Sequence, residues 1–233
     1  MTLRPIRKLT VLSSTFAALL CAATGCRPMA TSDAGNTTRA ATVSKSNVGT
    51  DPGSAGAPSA LVPRAGHELA LFAEGCFWGS ENTFRHVPGV TATAVGYVGG
   101  TKDHPSYEDV CSHTTGHAEG VLVEFDPAVV SYAQLVGVFF RSHDPTTKNR
   151  QGPDIGDQYR SAVFTFSEAQ AVEARRQADA QSHALGKAVT TEIAPLSSNT
   201  NARFWKAEEY HQQYDEKTGR ESCPLPSVLG TPK

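Results

Sequence analysis

Residues 75–79 read Gly75-Cys76-Phe77-Trp78-Gly79, a single thiol set between glycines and beside two large aromatic rings. The run before it, Glu68 to Glu74, alternates loosely as a strand does, and Ser80 to His86 reads as a helix, so Cys76 is placed near a helix N-terminus. Unpaired backbone N–H groups and the helix dipole favour negative charge there, which for a cysteine means the thiolate, the nucleophilic form of sulfur. A buried structural cysteine packed among core aromatics fits the same five residues equally well. The choice rests on what the remainder of the chain can place around this thiol.

The chain has 233 residues, 39 % of them hydrophobic, which is enough for one globular domain with extensions rather than two full domains. Arg4, Arg7 and Lys8, an apolar stretch from Val11 to Ala23, and the ending Ala23-Thr24-Gly25-Cys26 have the layout of an export signal over residues 1–25. The stretch is short for a membrane span. Its small-small-Cys ending resembles a bacterial lipoprotein signal, in which Cys26 becomes the lipidated first residue, although Ala23 stands where that pattern prefers Leu; plain cleavage is the alternative. Lipidation would hold the protein at a membrane surface, exported and facing the periplasm or cell exterior. Residues 26–66 are rich in Ser, Thr, Ala, Gly and Pro and poor in large apolar side chains, so they are expected to form a flexible tether to a domain spanning 67–233.

Removing the signal takes away those three basic residues and no acidic one, which moves the formal net charge from −2 to −5 and argues against a nucleic-acid partner. Cys76, Cys111 and Cys223 are widely separated, so no structural metal site is expected. An odd set of three thiols in an exported domain suits a cycling redox pair plus a bystander better than a disulfide scaffold.

Further strands are expected at Thr91 to Val98, Gly120 to Phe125, Ser161 to Phe166 and, last, Val189 to Ile193. Helices are expected from Ser131 to Arg141 and from Ser167-Glu168 to Leu185, the latter stopped by Gly186. Interleaved strands and helices indicate an α/β chain of the α+β kind, a two-layer sandwich with helices against one sheet. Three long irregular segments, Gly99 to Glu119, His143 to Arg160 and Asn199 to Lys233, are rich in polar and aromatic residues, and such loops commonly carry function.

Besides the cysteine segment, the chain contains Gly96-Tyr97-Val98-Gly99-Gly100, Gly116-His117-Ala118-Glu119, His143-Asp144-Pro145, Gln151-Gly152-Pro153-Asp154 through Gln158-Tyr159-Arg160-Ser161, and Ala207-Glu208-Glu209-Tyr210-His211-Gln212-Gln213-Tyr214. In that order, over roughly Glu68 to Cys223, they closely resemble the A class of peptide methionine sulfoxide reductases. The resemblance implies a ferredoxin-like core with long irregular loops and a C-terminal tail, a monomer without cofactor, and reduction of the S epimer of methionine sulfoxide, free or in proteins.

A sulfoxide is electrophilic at sulfur only when its oxygen is protonated or strongly hydrogen-bonded, so its reduction needs a soft nucleophile, an acid and donors aimed at one oxygen. By the resemblance, Cys76 is the nucleophile and Glu119 the acid, a carboxyl kept protonated by an aromatic pocket. Tyr107 and Tyr159 match the hydroxyls that hold the sulfoxide oxygen, Asp154 the carboxylate beside them, and Phe77 and Trp78 the walls that receive the methyl group. Cys223 matches a resolving thiol in the tail, which would convert a Cys76 sulfenic acid into a disulfide reset by a thioredoxin-like reductant. Cys111 is expected to be structural. No second tail cysteine follows Cys223, so the reductant would meet the Cys76–Cys223 bond directly.

Taken one at a time, Tyr107 and Tyr159 also read as half-buried surface tyrosines, Asp154 as a turn residue after Pro153, and Glu119 as a solvated edge charge. Two other functions compete. Cys-x-Trp resembles a papain-like hydrolase segment, for which His117, His143 and His211 offer bases, and a lipid-anchored binding module could use an aromatic pocket without chemistry.

Overall fold

The strand-to-helix passage around Cys76 sets the frame. A computed structural model of the chain describes residues 61–196 and 203–219. Strand β1 (Glu68–Glu74) leads into helix α1 (Phe77–Arg85), then come strand β2 (Val90–Val98), a single-turn helix α2 (Tyr107–Cys111), strand β3 (Ala118–Phe125) and helix α3 (Tyr132–Ser142). A two-residue hairpin, β4 (Arg150–Gln151) and β5 (Asp154–Ile155), precedes a 3₁₀ turn at Asp157–Tyr159 and strand β6 (Ser161–Thr165). Helix α4 (Glu168–Leu185), strands β7 (Glu192–Pro195) and β8 (Phe204–Lys206) and helix α5 (Tyr214–Thr218) complete the described chain.

The six-stranded sheet runs β7-β6-β1-β3-β2-β8. Its centre, β6-β1-β3-β2, is antiparallel throughout, and with α1 joining β1 to β2 and α3 between β3 and β6 it forms the expected ferredoxin-like core, while α4 links β6 to β7. β7 adds parallel to β6 and β8 antiparallel to β2. One sheet face carries Ala70, Phe72, Val121, Val123 and Phe125 against Phe84, Leu135 and Phe139 of the helices, with Phe72 stacked on Phe84 at 4.8 Å. The other face carries Leu69, Leu71, Ala92, Ala94, Leu122, Ala162 and Phe164. With both faces buried, β1 is apolar almost end to end rather than alternating. A register shift between Val90 and Ala92 turns Val90 onto the helix face while Ala92 stays on the opposite one.

The expected helix ends follow from local chemistry. Ser131 and Gln134 form a reciprocal capping box on α3. Ser167 caps α4, and Gly186 ends it at φ +61 in the left-handed region. The expected strand Val189 to Ile193 is displaced to Glu192–Pro195. The Val189 N–H goes to Ser182 Oγ at 3.1 Å and the Thr190 N–H to the Pro145 carbonyl at 2.7 Å, so pairing with β6 starts only at Glu192. Nor is it the last strand, because β8 follows. Of the segment expected as tether, residues 61–66 pack on the domain: Leu61 lies against the second core face, and Arg64 pairs with the buried carboxylate of Glu124 through its backbone N–H and its guanidinium.

β8 lies so close to β2 that a Cβ on Gly96 would strike the Trp205 carbonyl oxygen and the Phe204 ring. Gly96→Ala is therefore expected to destabilise the domain by about 1–3 kcal/mol, read as a lowered denaturant midpoint; an unchanged midpoint would show that β8 yields without cost.

Candidate active site

Cys76 occupies the N-cap position of α1, φ −59 and ψ 122, and its own side chain makes no cap hydrogen bond. Gly75 makes the approach possible. Its φ is +113, and a Cβ there would lie 2.7 Å from Cγ of Gln151. The first helical N–H, that of Phe77, donates to Glu119 Oε2 at 3.0 Å. Glu119 stands opposite Tyr97 in the β2–β3 ladder and is 2 % exposed, so it is not the solvated edge charge that its residue type alone allowed. One helix N-terminus thus supports both a thiol and a buried carboxyl.

The two tyrosines come to the same place from different segments, Tyr107 as the first residue of α2 and Tyr159 as the last of the 3₁₀ turn. Burial, a hydrogen bond with Cys111 and the charge of Glu119 push the Tyr107 hydroxyl above its ordinary range. Burial and then the charges of Glu119, Asp154, Cys76 and Cys111 do the same for Tyr159. Both remain O–H donors, and their shared perturbers place Cys76, Glu119, Asp154, Tyr107 and Tyr159 within one electrostatic neighbourhood. Beside it a pocket of about 310 Å³ is lined by Cys111, His113, Pro153, Asp154, Ile155, Gln158 and Tyr159. A larger groove of about 830 Å³ between α3 and α4 is lined by apolar and amide side chains with Arg141 and Arg176. It holds no nucleophile or acid, so the chemistry lies elsewhere.

The aromatic wall is held by residues to which the sequence had assigned no such supporting role. Trp78 stacks on Tyr214 at 3.9 Å, and its Nε1–H donates to His211 Nδ1 at 3.0 Å. Phe77, 1 % exposed, packs on His211 and Tyr97. The Tyr107 ring lies 4.6 Å from the His211 ring. Glu208 ties the group together, accepting the Tyr97 hydroxyl at 2.8 Å and the Tyr107 N–H at 3.1 Å. Gln212 imitates a strand, accepting the Val95 N–H and donating to the Val95 carbonyl, each at 2.9 Å. These residues all lie within the 207–214 segment, where the sequence signal was a run of polar and aromatic side chains with no assigned partners.

Cys111, expected to be structural, is a half-buried thiol at the pocket wall, raised mainly by burial while its hydrogen bond with Tyr107 works the other way. Cys223 and Cys26 lie outside the described residues. The three histidines that a hydrolase could use as bases have their lone pairs engaged: His117 Nδ1 accepts the Gly100 N–H at 3.1 Å, His143 Nε2 accepts from Ser161 Oγ at 2.7 Å, and His211 Nδ1 accepts from Trp78. Among the described residues no group of His, Cys, Asp and Glu could hold a metal ion.

A sequence model of the family described as peptide methionine sulfoxide reductase matches residues 68–231. The chain is 51 % identical over 168 residues to the peptide methionine sulfoxide reductase MsrA of Methanothermobacter thermautotrophicus, covering 71 % of this chain and 96 % of that one. It is 54 % identical over 159 residues to the MsrA of Methanosarcina acetivorans, covering 67 % and 82 %. The solved structure of methionine sulfoxide reductase A of Corynebacterium diphtheriae superposes with a TM-score of 0.64 at 33 % identity, covering 81 % of this chain and 97 % of that one.

Burial holds His143 and His211 at about 4, against about 6.5 in an unfolded chain. A base depressed on folding takes up protons more readily when unfolded, so its contribution is whole above about pH 6.5 and is lost as pH falls toward 4, about 3 kcal/mol for each imidazole. Glu74, raised to about 8, and Glu81, also raised by burial, work in the opposite sense, while His117, lowered by burial, adds to the other two imidazoles. The denaturant midpoint is expected to drop between pH 6.5 and 4, and less so in His143→Gln; equal midpoints across that range would contradict the burial of neutral imidazoles.

Proposed function

Because the chain belongs to the peptide methionine sulfoxide reductase family, we propose that Cys76 is the sulfur that takes the oxygen from methionine sulfoxide. The observation that carries this assignment is the shared helix start, where the Cys76 thiol and the Glu119 carboxyl stand in the electrostatic neighbourhood of two half-buried phenols. The chain reduces methionine sulfoxide in peptides, as its family does. Among sulfoxide epimers the S form is the substrate.

In the first step the thiolate attacks the sulfoxide sulfur while Glu119 protonates the oxygen and Tyr107 and Tyr159 donate to it. The Phe77 N–H donates to Oε2 and so fixes how the Glu119 carboxyl is presented. Oxygen passes to Cys76, so the sulfoxide leaves as a thioether and the cysteine becomes a sulfenic acid. Cys223 then attacks the sulfenic sulfur, expelling water and forming a Cys76–Cys223 disulfide. A thioredoxin-like dithiol takes over that bond and regenerates both thiols. Asp154 orients Tyr159, and Trp78, fixed by Tyr214 and His211, receives the methyl group with Phe77 behind it.

The domain is exported and anchored to a membrane surface by lipid on Cys26, a reading supported by the signal-like stretch ending in Ala23-Thr24-Gly25-Cys26. Among the described residues no helix is long and apolar enough to cross a membrane.

Cys76→Ser is expected to abolish even a single turnover with a methionine sulfoxide peptide. Cys223→Ser is expected to keep one turnover and lose thioredoxin-driven cycling, both read from product mass; full cycling by Cys223→Ser would remove that thiol from the scheme. Glu119→Gln is expected to slow the first step by about 10²–10⁴-fold at neutral pH and less in acid, where the medium can supply the proton. An unchanged rate across that range would dismiss Glu119 as the acid.

A further inference from the structure

Beneath the thiol lies a buried acid that the chemistry above does not use. Glu74 ends β1 two residues before Cys76, is 0 % exposed, and sits on the helix face between the first turn of α1 and the last of α3. Ser142 Oγ at the end of α3 donates to Glu74 Oε2 at 2.6 Å. His143 Nδ1 is 3.7 Å from the same oxygen, but its N–H goes to the Phe139 carbonyl at 2.7 Å. Among the described residues Oε1 has no hydrogen-bond partner.

From α1, the Ser80 hydroxyl stands beside this carboxyl and donates to the Cys76 carbonyl at 3.1 Å, reinforcing the longer Ser80 N–H bond to the same oxygen at 3.3 Å. From β6, Ser161 pairs opposite Glu74 and turns its hydroxyl to His143. From β4, Gln151 closes over Gly75. On β3, the register Phe72↔Val121 carried on by two residues brings Glu119 abreast of Glu74, so Glu119 is a second acid on that face, while the buried Glu81 of α1 turns to Thr93 of β2. The groups facing Glu74 are therefore hydroxyls, an amide, a neutral imidazole and a second acid. Such surroundings suit a carboxylic acid and oppose a carboxylate, all the more because the α3 C-terminus presents its carbonyls there.

We propose that Glu74 is a positioning residue for the nucleophile: as a neutral acid it leaves the Ser80 hydroxyl on the Cys76 carbonyl, and as a carboxylate it draws that hydroxyl away and loosens the helix start. The inference rests on the reading of Cys76 as the attacking sulfur. A serine hydroxyl has one proton to give, and an anion is the stronger acceptor, which makes the two states exclusive. Burial pushes Glu74 up to about 8, so the exchange falls within reach of ordinary buffers.

The test is the single-turnover rate at saturating methionine sulfoxide peptide, followed across a pH range bracketing 8. The unsubstituted chain is expected to slow roughly three- to tenfold on the alkaline side with a midpoint near that value, the range of one lost hydrogen bond. Glu74→Gln, isosteric and unable to ionise, should lose that step. Ser80→Ala, lacking the go-between, should lose it too and run near the slow alkaline rate throughout. The infrared carbonyl band of a buried protonated carboxyl should be present on the acid side and missing in Glu74→Gln. A step that persists unchanged in either variant, no step in the unsubstituted chain, or no such band would overturn the inference while leaving the reductase reading intact. Failure of the unsubstituted chain to reduce the peptide at any pH would refute the reading of Cys76 and this inference with it.

Discussion

The hydrogen bond from the Phe77 N–H to Glu119, 3.0 Å long, ties the first turn of α1 to the start of β3. The Cys76 side chain makes no cap bond of its own, so the Glu119 carboxyl takes the first N–H of the helix from across the sheet. The thiol at the N-cap position gains a field favouring the thiolate, and the carboxyl gains a fixed orientation. Both depend on β1, β3 and β2 lying side by side, which is the ferredoxin-like core. The sheet is therefore the ruler that sets the spacing of the Cys76 thiol and the Glu119 carboxyl, and the glycine before Cys76 lets the chain turn sharply enough to use it.

The C-terminal part of the described chain closes the site rather than merely following it. Glu208 reaches both Tyr97 and the α2 backbone, Gln212 completes the edge of β2, and His211 sits under Trp78 with its lone pair already taken. A neutral imidazole in that place is a spacer and an acceptor, not a base. That distinction separates this site from a cysteine hydrolase, which needs an imidazole whose lone pair can reach the thiol. Polar groups here hold aromatic rings in place beside a thiol that stays partly exposed.

The parts that were legible in the sequence are those settled by neighbours along the chain. The strand before Gly75, the helix after Trp78, Ser131 and Ser167 as caps and Gly186 as a stop depend on a few adjacent residues. The parts that were not legible depend on distant partners. Val189 carries a strand-like side chain, yet its N–H is claimed by Ser182. The three residues of β8 become a strand only because Gly96 lets them approach β2. His211 meets Trp78 across more than half of the domain. Glu74 looks like the polar end of a strand, and only the packing of α1 and α3 over it shows that it is sealed from water. Cys76, Glu119 and the tyrosines were recognisable through the order of their motifs, while the residues that hold them in place were not.

The central claim is that the Cys76 sulfur accepts an oxygen atom from oxidised methionine, and it can be tested by trapping the product of one turnover. Cys223→Ser would be mixed with one equivalent of a methionine sulfoxide peptide and a sulfenic-acid-specific carbon nucleophile, then digested and weighed. The expected result is one methionine formed per chain with the adduct on Cys76. Methionine formed without that adduct, or with the adduct on Cys111, would contradict it.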